Sequence, residues 1–292
     1  MHLKLNLNGS VDPFVNYLKN FAKIRPSLLI EIDTNERAFV AKTFTEDRGS
    51  VRFSAIGFNK CNMTIVENTG ENTLGKERIK AGILIQLPRL IKIIEQFGAN
   101  LDKDGNATFD ITFEYDTLVN KNGATDYVVT MITFTSKSLK MKLDGFRISE
   151  LTYLSDDKFN NVVFNVQDAV KFKLTSDMIS SIIKTSDIVK LDGKKDALTF
   201  YVDGNNLYVK DLVSKGESNF VYLLGALSDT VDYAISATVF REKFIQMMDK
   251  SNENYDIILG RRPTADGKYV VDRILFDSTD SNTKIVISIV NN

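Results

Sequence analysis

The chain has 292 residues, of which 43% are hydrophobic and 26% charged, with a formal net charge of −1. This balance excludes an extensively disordered chain and gives no overall basic signal for a polyanionic partner. Its longest apolar runs, such as residues 81–87, fall well short of the ~20 residues that span a bilayer. Cys61 is the only cysteine and His2 the only histidine, so an internal disulfide is impossible and most metal sites and acid–base chemistry are removed.

The first ten residues alternate apolar and polar side chains rather than placing an apolar core after a basic stretch, so no signal peptide is expected and the reading is cytoplasmic. Residues 2–8 predict a strand with Leu3, Leu5 and Leu7 on one face. Asp12 and Pro13 suit the start of a helix over 11–25, whose buried stripe is Phe14, Leu18, Phe21 and Ala22. Strands are predicted at 28–33, 37–44 and 51–58, then a polar loop at 67–78 and a strand at 79–86. A second helix, 87–98, starts with Pro88 near its first position and buries Leu90, Ile91, Ile94 and Phe97. Strands near 106–115, 126–135 and 138–143 close this half, with polar loops at 99–106 and 116–125 between elements.

Residues 143–161 break the alternation and read as a connector. Strands at 162–166 and 169–174 open the second half, followed by a helix over 175–190 that buries Met178, Ile179, Ile182 and Ile183. Strands at 197–203, 206–212, 219–225 and 232–237 lead to a helix over 238–251 with Phe240, Phe244, Met247 and Met248 inward. Strands near 254–259, 268–277 and 283–290 end the chain. Each half therefore reads as strand, helix, several strands, helix, more strands. The fold class is α+β: two similar domains, 1–145 and 162–292, each with two amphipathic helices on antiparallel sheet, joined by a connector at 146–161.

Two segments, Tyr17–Ile32 (YLKNFAKIRPSLLIEI) and Phe164–Ile183 (FNVQDAVKFKLTSDMISSII), together with the element order, resemble the DNA sliding clamps, most closely those of tailed phages. The resemblance implies two sliding-clamp domains per subunit, head-to-tail assembly into a homotrimeric ring of six domains, and helices lining a hole around duplex DNA. It implies a DNA polymerase and a clamp-loader ATPase as partners, no cofactor, no metal and no catalytic residue. The location would be the cytoplasm, that of an infected bacterium if the protein is phage-encoded. In this family partners insert an apolar peptide near the connector, which makes Leu151, Tyr153 and Leu154 the expected partner-binding rim.

A ring that follows duplex by topology needs only a mildly cationic wall, binding phosphates without reading bases. The four helices carry net charges of +2, +1, 0 and +1, so the rest of the chain carries −5. The cations expected to face DNA are Lys19, Lys23, Arg25, Arg89, Lys92, Lys184, Arg241, Lys243 and Lys250. Charge alone favours the ordinary solvated faces of amphipathic helices; only with the repeat and the resemblance does DNA contact become the better reading.

Asp102, Asp104 and Asn106 alternate as calcium ligands do, but a calcium loop wants glycine at its sixth position and glutamate at its twelfth, where this chain has Phe113. A hairpin turn is the expectation there. The chain has no phosphate-binding GxxxxGK[ST] loop and no GxSxG element. Three other readings stay open: a non-enzymatic virion or structural protein built from duplicated α+β domains; a single-strand binder, which requires exposed aromatics interleaved with basic residues; and an enzyme, for which the sequence supplies no catalytic constellation.

Overall fold

A computed structural model describes residues 1–70, 77–120, 123–145, 148, 151–163, 167–188, 196–211, 220–228, 235–248, 253–263, 266, 269–278 and 280–290. The chain divides into two compact units. The first comprises Met1–Thr43 and Phe53–Leu154, the second Phe44–Arg52 and Ser155–Asn292.

In the first unit β1 (His2–Gly9) leads into α1 (Asp12–Ala22), then β2 (Leu28–Asp33), β3 (Ala38–Phe44), β4 (Ser50–Gly57), β5 (Met63–Asn68) and β6 (Ile79–Ile83), with Phe44 at the end of β3 and Ser50–Arg52 at the start of β4 counted in the second unit. Helix α2 (Leu87–Gly98) precedes β7 (Ala107–Val119), β8 (Thr125–Thr135) and β9 (Lys140–Asp144). The second unit holds α3 (Asp156–Val163), β10 (Gln167–Leu174), α4 (Ser176–Ile188), β11 (Ala197–Asp203), β12 (Asn206–Asp211), β13 (Val221–Ala226) and β14 (Ser236–Phe240). It continues with α5 (Arg241–Met247), β15 (Tyr255–Pro263), β16 (Tyr269–Val270), β17 (Arg273–Ser278) and β18 (Thr283–Ser288).

The repeat read from the sequence is a repeat of strand pairing. In the first unit β1 pairs β7, β7 pairs β8, and β8 pairs β9, all antiparallel. In the second, β10 pairs β15, β15 pairs β17, and β17 pairs β18 in the same sense. Likewise β2 lies between β3 and β6 as β11 lies between β12 and β14, and β4 flanks β3 as β13 flanks β12. The first unit adds β5 on the outer side of β1 and a short parallel contact of β6 with β8.

Each core is filled from both helices and the sheet. In the first unit Leu3, Leu5 and Leu7 of β1 meet Phe14, Leu18 and Phe21 of α1 and Leu90, Ile94 and Phe97 of α2. Phe14 stacks on Phe39 at 4.7 Å between ring centroids, and Phe97 meets Phe109 at 5.2 Å. Burial on this scale contributes about 1.5–3 kcal/mol for each large side chain. In the second unit Phe200, Phe244 and Phe276 form the centre, with centroid separations of 5.8–6.4 Å. Cys61 is buried, and burial pushes its thiol up to about 12, so it is a packing group rather than a nucleophile.

Local structure departs from the sequence reading at element ends. Asp12 is not the cap of α1 but its first residue: its backbone N–H donates to Ser10 Oγ at 3.1 Å, and its carboxylate sits in the first turn, where the helix dipole favours it. That helix ends at Ala22: the Phe21 carbonyl accepts from the N–H groups of both Ile24 and Arg25 in a tightened last turn just before Pro26. Thr238–Phe240 belong to β14 rather than to the last helix, with Thr238 opposite Thr199 and their hydroxyls 2.9 Å apart. Val162 and Val163 end α3 instead of opening a strand. The 116–125 segment is mostly the end of a long β7–β8 hairpin, with Val119 opposite Thr125.

Candidate nucleic-acid interface

In the first unit the two helices pack against each other and turn polar faces outward. Helix α1 buries Phe14, Val15, Tyr17, Leu18 and Phe21, which leaves Lys19 and Lys23 exposed one turn apart and Arg25 half-buried just beyond its end. Helix α2 buries Leu87, Leu90, Ile91, Ile93, Ile94 and Phe97, which leaves Arg89 and Lys92 exposed on a common face. Lys19 Nζ reaches Glu95 Oε1 of α2 at 2.7 Å, so the polar faces of α1 and α2 adjoin. That pair is half-exposed and adds little stability; its effect is to offset the positive charge Lys19 offers. The two helices and the turn after α1 thus present Lys19, Lys23, Arg25, Arg89 and Lys92 against Asp12 and Glu95.

The second unit uses its helix cations differently. Arg241, expected to face DNA, is only 6% exposed. Its Nε donates to Ser186 Oγ at 2.7 Å, its Nη1 to Asp196 Oδ2 at 3.3 Å, and its Nη2 to Asp187. A guanidinium's fixed fork of donors suits such a hub, which ties the start of α5 to the end of α4; Arg241 therefore drops out of the expected surface. Lys243 donates to Asp47, whose carboxylate also accepts from Thr45 Oγ1 at 2.6 Å and the Gly49 N–H at 3.1 Å. The hydrogen bond from Lys243, then that from Thr45, hold the Asp47 carboxyl down at about 2. Nearby, fully buried Arg52 donates from Nη1 to the Met247 carbonyl at 2.9 Å, capping α5. Lys184 is exposed on α4, and Lys250 lies outside the described residues.

The partner-binding expectation falls on the end of the connector. Leu151 is 8% exposed and packs with Leu29, Val128 and Ile148, which pins the segment to the first unit. Tyr153 is 41% exposed. With Leu154 it covers Leu29, Glu31 and Lys42, leaving a space of only about 10 Å³, at the lower limit for one water. Beneath it Lys42 Nζ pairs with Glu31 Oε2 at 3.2 Å. Lys80, next to this pair, is penalised by burial, but its hydrogen bond to Asp126 at 2.6 Å and the fields of Asp126 and Glu31 raise its pKa on balance.

At the calcium-like stretch, Asp102 Oδ1 accepts from the N–H groups of Asp104 and Asn106, both at 2.9 Å, as in a turn. Among the described residues no group of three His, Cys, Asp or Glu side chains could hold a metal ion. No described helix is long and apolar enough to cross a membrane.

No family model matches the sequence, and no curated protein matches it. Solved structures do match. The structure of A. fulgidus PCNA with the C-terminal region of FEN-1 bound has a TM-score of 0.62 at 10% identity, covering 99% of this chain and 99% of that one. The proliferating cellular nuclear antigen of Entamoeba histolytica has a TM-score of 0.61 at 13% identity, covering 98% and 99%. The DNA polymerase sliding clamp of Bacillus subtilis has a TM-score of 0.56 at 12% identity, covering 100% of this chain but 66% of that one. The fold is that of the DNA sliding clamps. At these identities the likeness is one of backbone path, so what a clamp surface does here rests on this chain's own side chains.

Proposed function

We propose that the protein is a sliding clamp: copies of the chain join head to tail in a homotrimeric ring, encircle duplex DNA without reading its sequence, and tether the replicative DNA polymerase. The observation that carries the reading is the clamp fold over the whole chain, matched end to end by PCNA structures, together with the adjoining cationic faces of α1 and α2. The domains are proposed as 1–145 and 162–292 with the connector at 146–161, and the trimer follows from two-domain subunits. The tailed-phage likeness of residues 17–32 and 164–183 supports a phage origin.

Lys19, Lys23, Arg25, Arg89, Lys92 and Lys184 are the proposed DNA-facing set, with Lys19 weakened by Glu95. Lys243, on the second unit's last helix and tied to Asp47, is a secondary member, as is Lys250, which lies outside the described residues. Tyr153 and Leu154 are the proposed partner contacts, Leu151 their support. Ring closure has a physical motive in β13, Val-Tyr-Leu-Leu-Gly-Ala, an uncharged strand that pairs only with β12 among the described residues. Such an edge calls for another strand. The outer edge of β9, whose described partner is β8, is the proposed complement from a neighbouring copy. The partners are then duplex DNA, a polymerase, a clamp-loader ATPase and the chain itself, and no step is catalytic.

Native mass measurement tests the assembly, with three copies expected. Retention on circular duplex tests encirclement: the assembled protein, once loaded, stays on a nicked circle and leaves when the circle is cut. Equal retention on circle and linear DNA would refute a topological link and favour a structural protein with adventitious DNA affinity.

A further inference from the structure

The two units share a strand register, and that register exposes a difference between their outer sheet faces. In the first unit Leu29 of β2 lies opposite Lys42 of β3 and Gly82 of β6, and Glu31 opposite Val40 and Lys80. In the second, Thr199 of β11 lies opposite Lys210 of β12 and Thr238 of β14, and Tyr201 opposite Tyr208 and Ser236. Directly opposed residues share a sheet face, so Lys210 takes the place of Lys42, Tyr201 of Glu31 and Tyr208 of Val40.

The first unit's face is covered by its own chain. Leu151 packs on Leu29, Tyr153 and Leu154 lie over the Lys42–Glu31 pair, and Lys42 is almost wholly enclosed. At the corresponding place of the second unit Tyr201, Tyr208 and Lys210 are each half-exposed. Tyr201 and Tyr208 stack with centroids 5.4 Å apart and planes at 18°. Lys210 Nζ sits 4.8 Å from the centre of the Tyr201 ring, where its counterpart Lys42 has a carboxylate. Leu223 lies opposite Tyr208 and Val221 opposite Lys210, and they are 53% and 55% exposed. A contiguous aromatic and aliphatic strip with one cation, on a rigid four-stranded sheet, has the composition of a binding surface.

We propose that this strip, centred on Tyr201, Tyr208 and Leu223, docks an extended segment of a partner protein that carries an apolar or aromatic anchor beside a carboxylate. The anchor covers the tyrosine stack and Leu223 as Leu151 and Tyr153 cover the first unit. The carboxylate meets Lys210 and supplies the charge that Glu31 gives Lys42. The aliphatic half of the strip and its single lysine favour such a segment over single-stranded nucleic acid, which needs a basic track beside its stacking rings. The strip uses the face of β13, whereas ring closure would use its edge, so the two contacts are separable.

The test is selection of a random linear peptide library on the full-length protein, followed by binding measurements on variants. Selected peptides are expected to pair an aromatic or aliphatic residue with Asp or Glu. Their affinity should fall by roughly tenfold or more on Tyr208→Ser or Leu223→Ser, and should also fall on Lys210→Glu. The side chains of Val221 and Leu223 point into solvent, so their substitution should spare the fold; methyl resonances of these residues in the unaltered protein, shifting as peptide is added, provide a reading that needs no variant. Peptides indifferent to all three substitutions, or no recovery of such peptides, would overturn the proposal. So would loss of oligo-dT binding on Tyr201→Ala, which assigns the face to single-stranded nucleic acid, or a changed number of copies on Leu223→Ser, which makes it a contact between copies.

Discussion

The helices of the first unit and those of the second occupy matching places in a repeated fold, yet they spend their positive charge differently. On α1 and α2 the cations stand on the solvent face, and the ion pair that crosses between the helices, Lys19–Glu95, is half-exposed. On α5 Arg241 is drawn inward by Ser186, Asp187 and Asp196, and Lys243 is engaged by Asp47. A count of lysines and arginines treats the two pairs of helices as near equals. Geometry separates cations that stand on the solvent face from Arg241, which is buried, and Lys243, which is held by Asp47; the solvent-facing set, with Lys184 of α4, is the one that fits the proposed contact with phosphate.

That contrast can be broken most forcefully at the first unit. Reversing Arg89 and Lys92 to Glu together with Lys19 and Lys23 to Glu should reduce processive synthesis more than about tenfold at moderate salt. Thermal stability should stay within about 1 kcal/mol, since all four side chains are on the surface. Lys184→Glu in the second unit should cost about twofold or less in the same assay. Equal losses from the two units would erase the distinction.

The opposite pattern is expected of Arg241→Ala. Removing the hub empties a buried site and leaves Ser186 without its donor, so unfolding free energy should fall by about 2–4 kcal/mol. Arg241→Lys should recover little of it, because one ammonium cannot bond three groups at the angles a guanidinium spans. Arg52→Met should destabilise by a similar or slightly smaller amount, through loss of its bond to the Met247 carbonyl at the end of α5. Chemical denaturation measures both, and a surface-like change below about 0.5 kcal/mol would contradict the burial.

The smallest effect is in pH. Asp47 titrates at about 2 in the folded protein against an ordinary 3.8. A lowered folded-state value means the ionised carboxylate favours folding above 3.8, and that contribution disappears as pH falls from 3.8 to about 2. Asp47→Asn should therefore flatten the acid limb of a stability–pH curve in this window and leave its shape above pH 5 unchanged. An acid limb identical in both proteins would show that Lys243 is not held as the geometry has it.

Much of this fold is legible from local pattern. The apolar spacing of Phe14, Leu18 and Phe21, and of Leu90, Ile94 and Phe97, marks α1 and α2 without any tertiary information, and Pro13 and Pro88 fix their starts. Helix α3 escapes that test because only Phe159 among its described residues is buried. A weaker signal was present, Ser155 before Asp156 and Asp157, and the Phe159 N–H does bond to the Ser155 carbonyl at 3.0 Å. What the sequence hides is long-range pairing. Asp47 and Lys243 are 196 positions apart, so a lysine that reads as a DNA contact is indistinguishable there from one that ties a hairpin to a helix. The Tyr201–Tyr208 stack is a local matter by contrast: it needs only the register of the β11–β12 hairpin, whose two strands the sequence predicts.

The most direct measurement is the salt dependence of duplex binding by the assembled protein, compared with the variant in which Lys19, Lys23, Arg89 and Lys92 are reversed. The slope of log affinity against log salt should shrink by about 0.9 for each phosphate contact removed, while Lys184→Glu changes it little. Identical slopes for the unaltered protein and the reversed variant would contradict a DNA-facing role for the first unit's helices.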